Sequence, residues 1–201
     1  DLLIQQLAQE LSLHPAHVEA VVTLLDEGNT IPFIARYRKE AHGSMSDDVL
    51  RELADRLNYL RNLAARREEI RKAIQTQGKL TAALSAKLNK ADTLAKLEDL
   101  YRPYRPKRRT RATIAKEKGL EPLAAMLLLQ QRDKVPEGLA ADYVDASKGV
   151  KTVKDALAGA SDIIAECISD DADTRSLLRE ELQRHGRLIV RPAKEEDSVY
   201  Q

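Results

Sequence analysis

Aromatic residues are scarce in this 201-residue chain: six tyrosines, one phenylalanine and no tryptophan. β-branched residues are thin as well, which argues against a sheet-built core. Leu, Ala, Glu, Lys and Arg dominate instead, the composition of long helices. A single cysteine, Cys167, excludes an internal disulfide and fits a reducing compartment. It lies in an apolar stretch with no His or basic neighbour to activate it, so it reads as a small core residue. No apolar run approaches the ~18 residues of a membrane span and no signal peptide is present, so a cytoplasmic chain without membrane contact is expected. No glycine-rich phosphate loop occurs. The four histidines, His14, His17, His42 and His185, are scattered. His14 and His17 stand three apart without a further ligand nearby, a weak metal pair. Neither cofactor, metal nor enzymatic activity is expected.

Acidic and basic residues nearly cancel, at 32 and 33. A net charge of +1 predicts no partner, and only a local cluster can do so. Asp47-Asp48, Asp170-Asp171 and Glu195-Glu196-Asp197 read as helix caps or solvated surface. The chain lacks an initiator Met, and it is expected to be a piece of a longer protein.

Helical periodicity runs through the chain. Leu3, Leu7 and Leu11 mark a helix over 2–12. Pro15 suits the first turn of a second, with Val18, Val21, Val22 and Leu25 as its stripe and Gly28 as a left-handed stop. These two helices have a helix-turn-helix pattern. The second offers His17, Glu19, Ala20, Thr23 and Asp26 where a DNA reader needs basic or amide side chains, so packing or protein contact is expected there. Thr30-Ile31-Pro32 opens a third helix, in which Phe33, Ile34 and Tyr37 read as core anchors. Ser46 with Asp47 and Asp48 starts a helix expected to reach Gln77, a spine of roughly 45 Å. Its interspersed Arg61, Arg66, Arg67, Glu68, Glu69, Arg71 and Lys72 read as a solvated face.

Shorter helices are predicted near 81–89, 92–101, 110–118 and from Glu121. Val135-Pro136-Glu137-Gly138 reads as a turn. Thr152 and Asp155 have capping-box spacing ahead of an amphipathic helix carrying Val153, Leu157, Ala160, Ile163, Ile164, Cys167 and Ile168. Asp170 is expected to cap a last helix, with Leu177, Leu178 and Leu182 inside and Gly186 after it. Arg187-Leu188-Ile189-Val190 is a candidate short strand.

The most informative window is Arg102-Pro103-Tyr104-Arg105-Pro106-Lys107-Arg108-Arg109-Thr110-Arg111, with six cations and no anion. Its prolines oppose helix and favour extended chain. Such a strip can follow a phosphate backbone, with Tyr104 stacking on a base. The competing reading has Tyr101 and Tyr104 packed inward and the arginines paired with carboxylates such as Glu98 and Asp99. The candidate nucleic-acid-binding residues are Arg102, Tyr104, Arg105, Lys107, Arg108, Arg109 and Arg111.

Two stretches resemble the Tex family of bacterial transcription accessory proteins. One is Gly28-Asn29-Thr30-Ile31-Pro32-Phe33-Ile34-Ala35-Arg36-Tyr37-Arg38-Lys39-Glu40. The other runs from Leu97-Glu98-Asp99-Leu100-Tyr101 through the basic strip to Ala112, followed by Gly119-Leu120-Glu121-Pro122-Leu123-Ala124. Ala160 to Glu166 is similar to a third family stretch. The resemblance implies a helical N-terminal region of a protein that binds nucleic acid, RNA in preference to DNA, and acts in or near transcription. It also implies that the family's RNase H-like, helix-hairpin-helix and OB-fold RNA-binding parts, which carry most of that binding, lie outside this chain.

The expected fold is mainly α. A helix-turn-helix-like subdomain is expected over 1–45, a central helical domain with the spine over 46–186, and the truncated start of a following segment over 187–201. The expected function is a helical scaffold contributing to RNA or DNA binding and to assembly with the transcription machinery. The alternative is a protein–protein docking module with no nucleic-acid contact of its own.

Overall fold

A computed structural model describes residues 2–131 and 134–191. The chain divides into two compact units, Asp1–Leu97 and Glu98–Gln201. The fold is mainly α, and among the described residues the one β-type pairing is an isolated bridge between Asp145 and Val150. No helix among these residues is long and apolar enough to cross a membrane.

The first unit is built on α4 (Asp47–Thr76), the expected spine. Ser46 caps it by accepting a hydrogen bond from the Val49 N–H, and Asp47 and Asp48 put negative charge at its positive end. Gly78 (φ +67°) follows its C-terminus in the left-handed region that favours glycine. Helices α1 (Leu2–Glu10), α2 (Pro15–Asp26), α3 (Ile31–Tyr37) and α5 (Ala82–Lys90) pack on this spine. Leu7, Val18, Ile34, Leu50, Leu53, Leu57, Ile70, Ile74 and Leu88 form the core. The charged face of α4 is less uniformly solvated than its sequence suggests. Arg67, half-buried, donates from Nε to the Leu88 carbonyl at 3.0 Å and from its terminal nitrogen to the Ala91 carbonyl at 2.9 Å. It thereby satisfies carbonyls at the end of α5 that have no partner within the helix.

Phe33 and Tyr37 depart from expectation. Only Ile34 of α3 is buried; Phe33 is 36 % and Tyr37 57 % exposed. A seven-residue helix lying on the spine turns one narrow stripe inward, and Ile34 fills it.

The second unit centres on α10 (Val153–Asp170), which packs against α7 (Arg111–Glu117), α8 (Glu121–Leu128) and α9 (Pro136–Ala141). Helix α6 (Leu94–Tyr101) contains the division between the units. The capping box of Thr152 and Asp155 forms as expected. Small residues set the packing distance: Ala112, Ala115, Ala124, Ala140, Ala156 and Ala160 are all buried, with Leu120, Leu123, Val150 and Ile163 between them.

Other expectations are corrected in this unit. Val135–Gly138 is not a free turn but the start of α9: Val135 is the extended residue before the helix and Pro136 occupies its first turn, where its missing N–H costs nothing. Asp171, not Asp170, caps α11 (Ala172–His185), accepting from the Thr174 N–H at 2.7 Å. Cys167 is exposed, because the inward stripe of α10 runs through Ala156, Ala160 and Ile163. Leu177, Leu178 and Leu182 are 60 %, 56 % and 68 % exposed, since polar contacts rather than leucines hold α11 in place. Residues 187–190 form no strand: they have no regular structure, Leu188 is 94 % exposed, and no partner strand is present among the described residues to take their backbone groups.

Candidate nucleic-acid interface

The basic strip lies wholly in the second unit. Helix α6 ends at Tyr101, and Arg102–Tyr104 add one 3₁₀ turn before Arg105 becomes extended. Pro106 keeps the chain out of helix until Thr110, which caps α7 with reciprocal hydrogen bonds to Thr113. The segment between is therefore held at both ends. Thr110 also donates its hydroxyl to Glu166 at 3.0 Å, which ties it to α10.

Glu166 and Asp170 stand four apart on α10 and face the same way. They form an acidic edge along which the strip lies. Arg102 Nε donates to Asp170 Oδ1 at 2.8 Å. Lys107 Nζ donates to the other oxygen of Asp170 and lies 3.6 Å from Glu166. Arg105 pairs with Glu98 and lies over the Tyr101 ring at 5.6 Å. Arg109 pairs with Glu117 at 2.6 Å, and Arg111 approaches Asp162 at 3.5 Å. Among the described residues, Arg108 is the strip's one cation that meets no carboxylate, and it is exposed. Tyr101 and Tyr104 are both half-buried.

The strip is thus charge-compensated along most of its length, yet accessible. Burial divides it. Arg102 and Lys107 are 43 % and 32 % exposed and meet an Asp170 side chain only 12 % exposed, whereas Arg109 and Arg111 are 66 % and 87 % exposed. Burial alone would push the Asp170 carboxyl upward; hydrogen bonds from Lys107 and Arg102 outweigh it and hold the group below the ordinary carboxylate range. Taking Lys107 or Arg102 away would leave a nearly buried carboxylate short of a partner, which is strongly unfavourable. The pairs of Arg109 and Arg111 lie in solvent, which screens them, so each adds little to the stability of the unit. The inner cations are held against Asp170, and the outer ones, Arg108, Arg109 and Arg111, are exposed. Beside the inner cations lies a shallow cleft of about 330 Å³ lined by Arg102, Arg105, Lys107, Thr110, Glu166 and Asp170.

A second carboxylate repeats the arrangement. Asp99, with a side chain 7 % exposed, accepts from Arg175 Nε at 2.6 Å and from Arg179 at 2.5 Å. Asp99 therefore serves α11 and not the strip. The sequence offers Asp99 as a possible partner of the basic strip and Asp170 as a cap, and the two roles fall otherwise. The spacing of Glu166 and Asp170 is the signal for the acidic edge, but the cations that Asp170 meets stand more than 60 positions away. Among the described residues, no group of three or more His, Cys, Asp or Glu side chains can hold a metal ion.

A family model described as Tex-like protein N-terminal domain matches residues 1–75, and one described as Tex central region-like matches residues 131–200. This chain belongs to the Tex family. It is 48 % identical over 176 residues to the transcriptional accessory protein Tex of Neisseria gonorrhoeae, covering 88 % of this chain and 23 % of that protein. It is 49 % identical over 195 residues to protein YhgF of Escherichia coli, covering 96 % of this chain and 25 % of that protein. It is 31 % identical over 184 residues to the human S1 RNA-binding domain-containing protein 1, covering 90 % of this chain and 18 % of that protein. The chain spans about a quarter of the length of the bacterial Tex relatives it matches. Within this Tex chain the basic strip falls between the two matched regions, and α3 falls inside the first.

Proposed function

We propose that this chain is a helical scaffold of a nucleic-acid-binding transcription accessory protein, and that the outer edge of its basic strip adds a phosphate contact. The division of the strip carries the reading. Arg102 and Lys107 are committed to Asp170, while Arg108 faces solvent with no carboxylate among the described residues, and Arg109 and Arg111 meet theirs at exposed positions. Membership of the Tex family supports the transcriptional role, and the name of the human relative points to RNA as the nucleic acid. Most of the affinity of a full-length Tex protein is then expected from regions beyond this stretch. The role we propose is a non-enzymatic one.

The test is a titration of this chain against a labelled single-stranded RNA at several salt concentrations, alongside an R108E/R109E/R111E variant. The log–log salt slope should flatten by about 0.7 for every phosphate that the variant no longer neutralises. A slope unchanged by the triple charge reversal removes the strip from the interface.

A docking role is the second reading, and the exposed leucines of α11 favour it. Leu178 and Leu182 line an open groove with Arg175, Arg179 and Gln183. Retention of transcription proteins on the immobilised chain after nuclease treatment would support docking over RNA contact.

A further inference from the structure

The short helix α3 in the first unit presents a surface that packing does not explain. Phe33 and Tyr37 stand four apart, on one side of the helix, with ring centroids 5.2 Å apart and planes inclined at 47°. Both are exposed, Tyr37 more so, although they include the chain's sole phenylalanine and one of only six tyrosines. An aromatic pair left partly in water, in a chain this poor in aromatics, is a surface available for contact. Arg38 leans over the Phe33 ring at 5.5 Å and buttresses that side, which leaves Tyr37 as the freer face.

Charge sharpens the picture. Arg36, Arg38 and Lys39 accompany the rings, all exposed, and among the described residues none of them meets a carboxylate. Glu40 is the single acid of the segment. This is the reverse of the basic strip, where five of six cations are paired. Ile34, 1 % exposed, anchors the helix on α4, so the platform sits on a firm base.

We infer that α3 is a stacking platform for single-stranded RNA, with Tyr37 taking an unpaired base, Phe33 and Arg38 backing it, and Arg36 and Lys39 taking the adjoining phosphates. Exposed rings beside uncompensated cations are what unpaired nucleotides require: every base has a π-face, and each nucleotide brings one negative charge. A duplex hides its base faces and leaves only the phosphates to bind. The choice of RNA rests on the function proposed above; the site itself lies in the other unit and uses none of the strip's residues.

The test uses the 201-residue chain and a fluorescein-labelled twelve-nucleotide oligouridylate, with a duplex of equal length as control and anisotropy as the readout. Tyr37→Leu should weaken binding to the single strand about ten- to a hundred-fold. Tyr37→Phe, which keeps the ring, should stay within about threefold of the parent chain. Helical content and melting temperature should be unchanged in both, because Tyr37 is exposed. Arg36→Glu with Lys39→Glu should lower affinity and flatten the salt dependence. Equal affinity of Tyr37→Leu and the parent chain overturns the inference, as does equal loss in Tyr37→Leu and Tyr37→Phe, or failure of the chain to bind the oligonucleotide at all. Sensitivity to R108E/R109E/R111E together with indifference to Tyr37→Leu would sink the platform and leave the strip standing; the converse would do the opposite.

Discussion

Asp99 accepts a hydrogen bond from Arg175 Nε at 2.6 Å across 76 positions of sequence. A second arginine, Arg179, one turn further along α11, takes the other carboxylate oxygen. With Leu177, Leu178 and Leu182 facing solvent, this pair of contacts holds α11 in place of apolar packing. Asp99→Ala should therefore cost about 1–3 kcal/mol. That is less than for a fully buried pair, because both arginines are a third exposed and can hydrate. Hydrogen exchange should quicken over Ala172–His185 while Val153–Ile163 stays protected. Unaltered exchange in α11 would show that something else holds the helix.

Acid should act on the same carboxylate and on Asp170. Burial pushes Asp99 and Asp170 upward, but hydrogen bonds from Arg175 and Arg179, and from Lys107 and Arg102, leave both below the usual range. The unfolded chain then takes up protons first as pH falls. The stabilisation is complete above the ordinary carboxylate value of about 4 and is lost as pH drops through the lower folded-state values. Urea midpoints should be flat from about pH 7 to 5 and decline below about 4. An Asp99→Asn/Asp170→Asn variant should be less stable at neutral pH and show a shallower acid decline. An equally steep decline in that variant would assign the acid sensitivity to the other depressed carboxylates, such as Glu10 and Asp155.

Two helical glycines should respond oppositely to alanine. A Cβ on Gly159 would sit 2.4 Å from Leu120 Cδ1 and 3.3 Å from Ala115 Cβ, against side chains that are themselves buried. Overpacking of about 1–3 kcal/mol outweighs the gain in helix propensity of roughly 1 kcal/mol, so Gly159→Ala should lower the melting temperature. Gly138 in α9 has nothing within 4 Å of its would-be Cβ, and Gly138→Ala should raise it slightly. Thermal melts of both variants check the pair, and a stabilising Gly159→Ala would contradict the close approach of α10 to Leu120.

Cys167 should react with a thiol reagent such as dithionitrobenzoate in the folded chain, to one equivalent and without denaturant. A buried cysteine would be released only on unfolding, so protection of the thiol at neutral pH would refute its exposed position on α10.

Much of the local structure is legible in the residues. Ser46, Thr110 and the Thr152–Asp155 box each mark the start of a helix, and Gly28 and Gly78 each follow the end of one. The stretches 28–40 and 97–112 carry the Tex resemblance by themselves. The basic strip is visible as a run of cations, but its charge balance is not. Neither the acidic edge of Glu166 and Asp170 nor the open face of Phe33 and Tyr37 can be read from a window of ten residues.

Helix positions and stop signals follow from sequence alone because caps, glycine backbone freedom and a 3.6-residue apolar period act within one or two turns. Tertiary structure alone decides which of the many charges neutralise one another and which apolar side chains stay in water. Both depend on segments meeting from distant parts of the chain: Asp170 claims Arg102 and Lys107, Asp99 claims Arg175 and Arg179, and Arg36, Arg38 and Lys39, in α3 and just after it, are claimed by no carboxylate among the described residues.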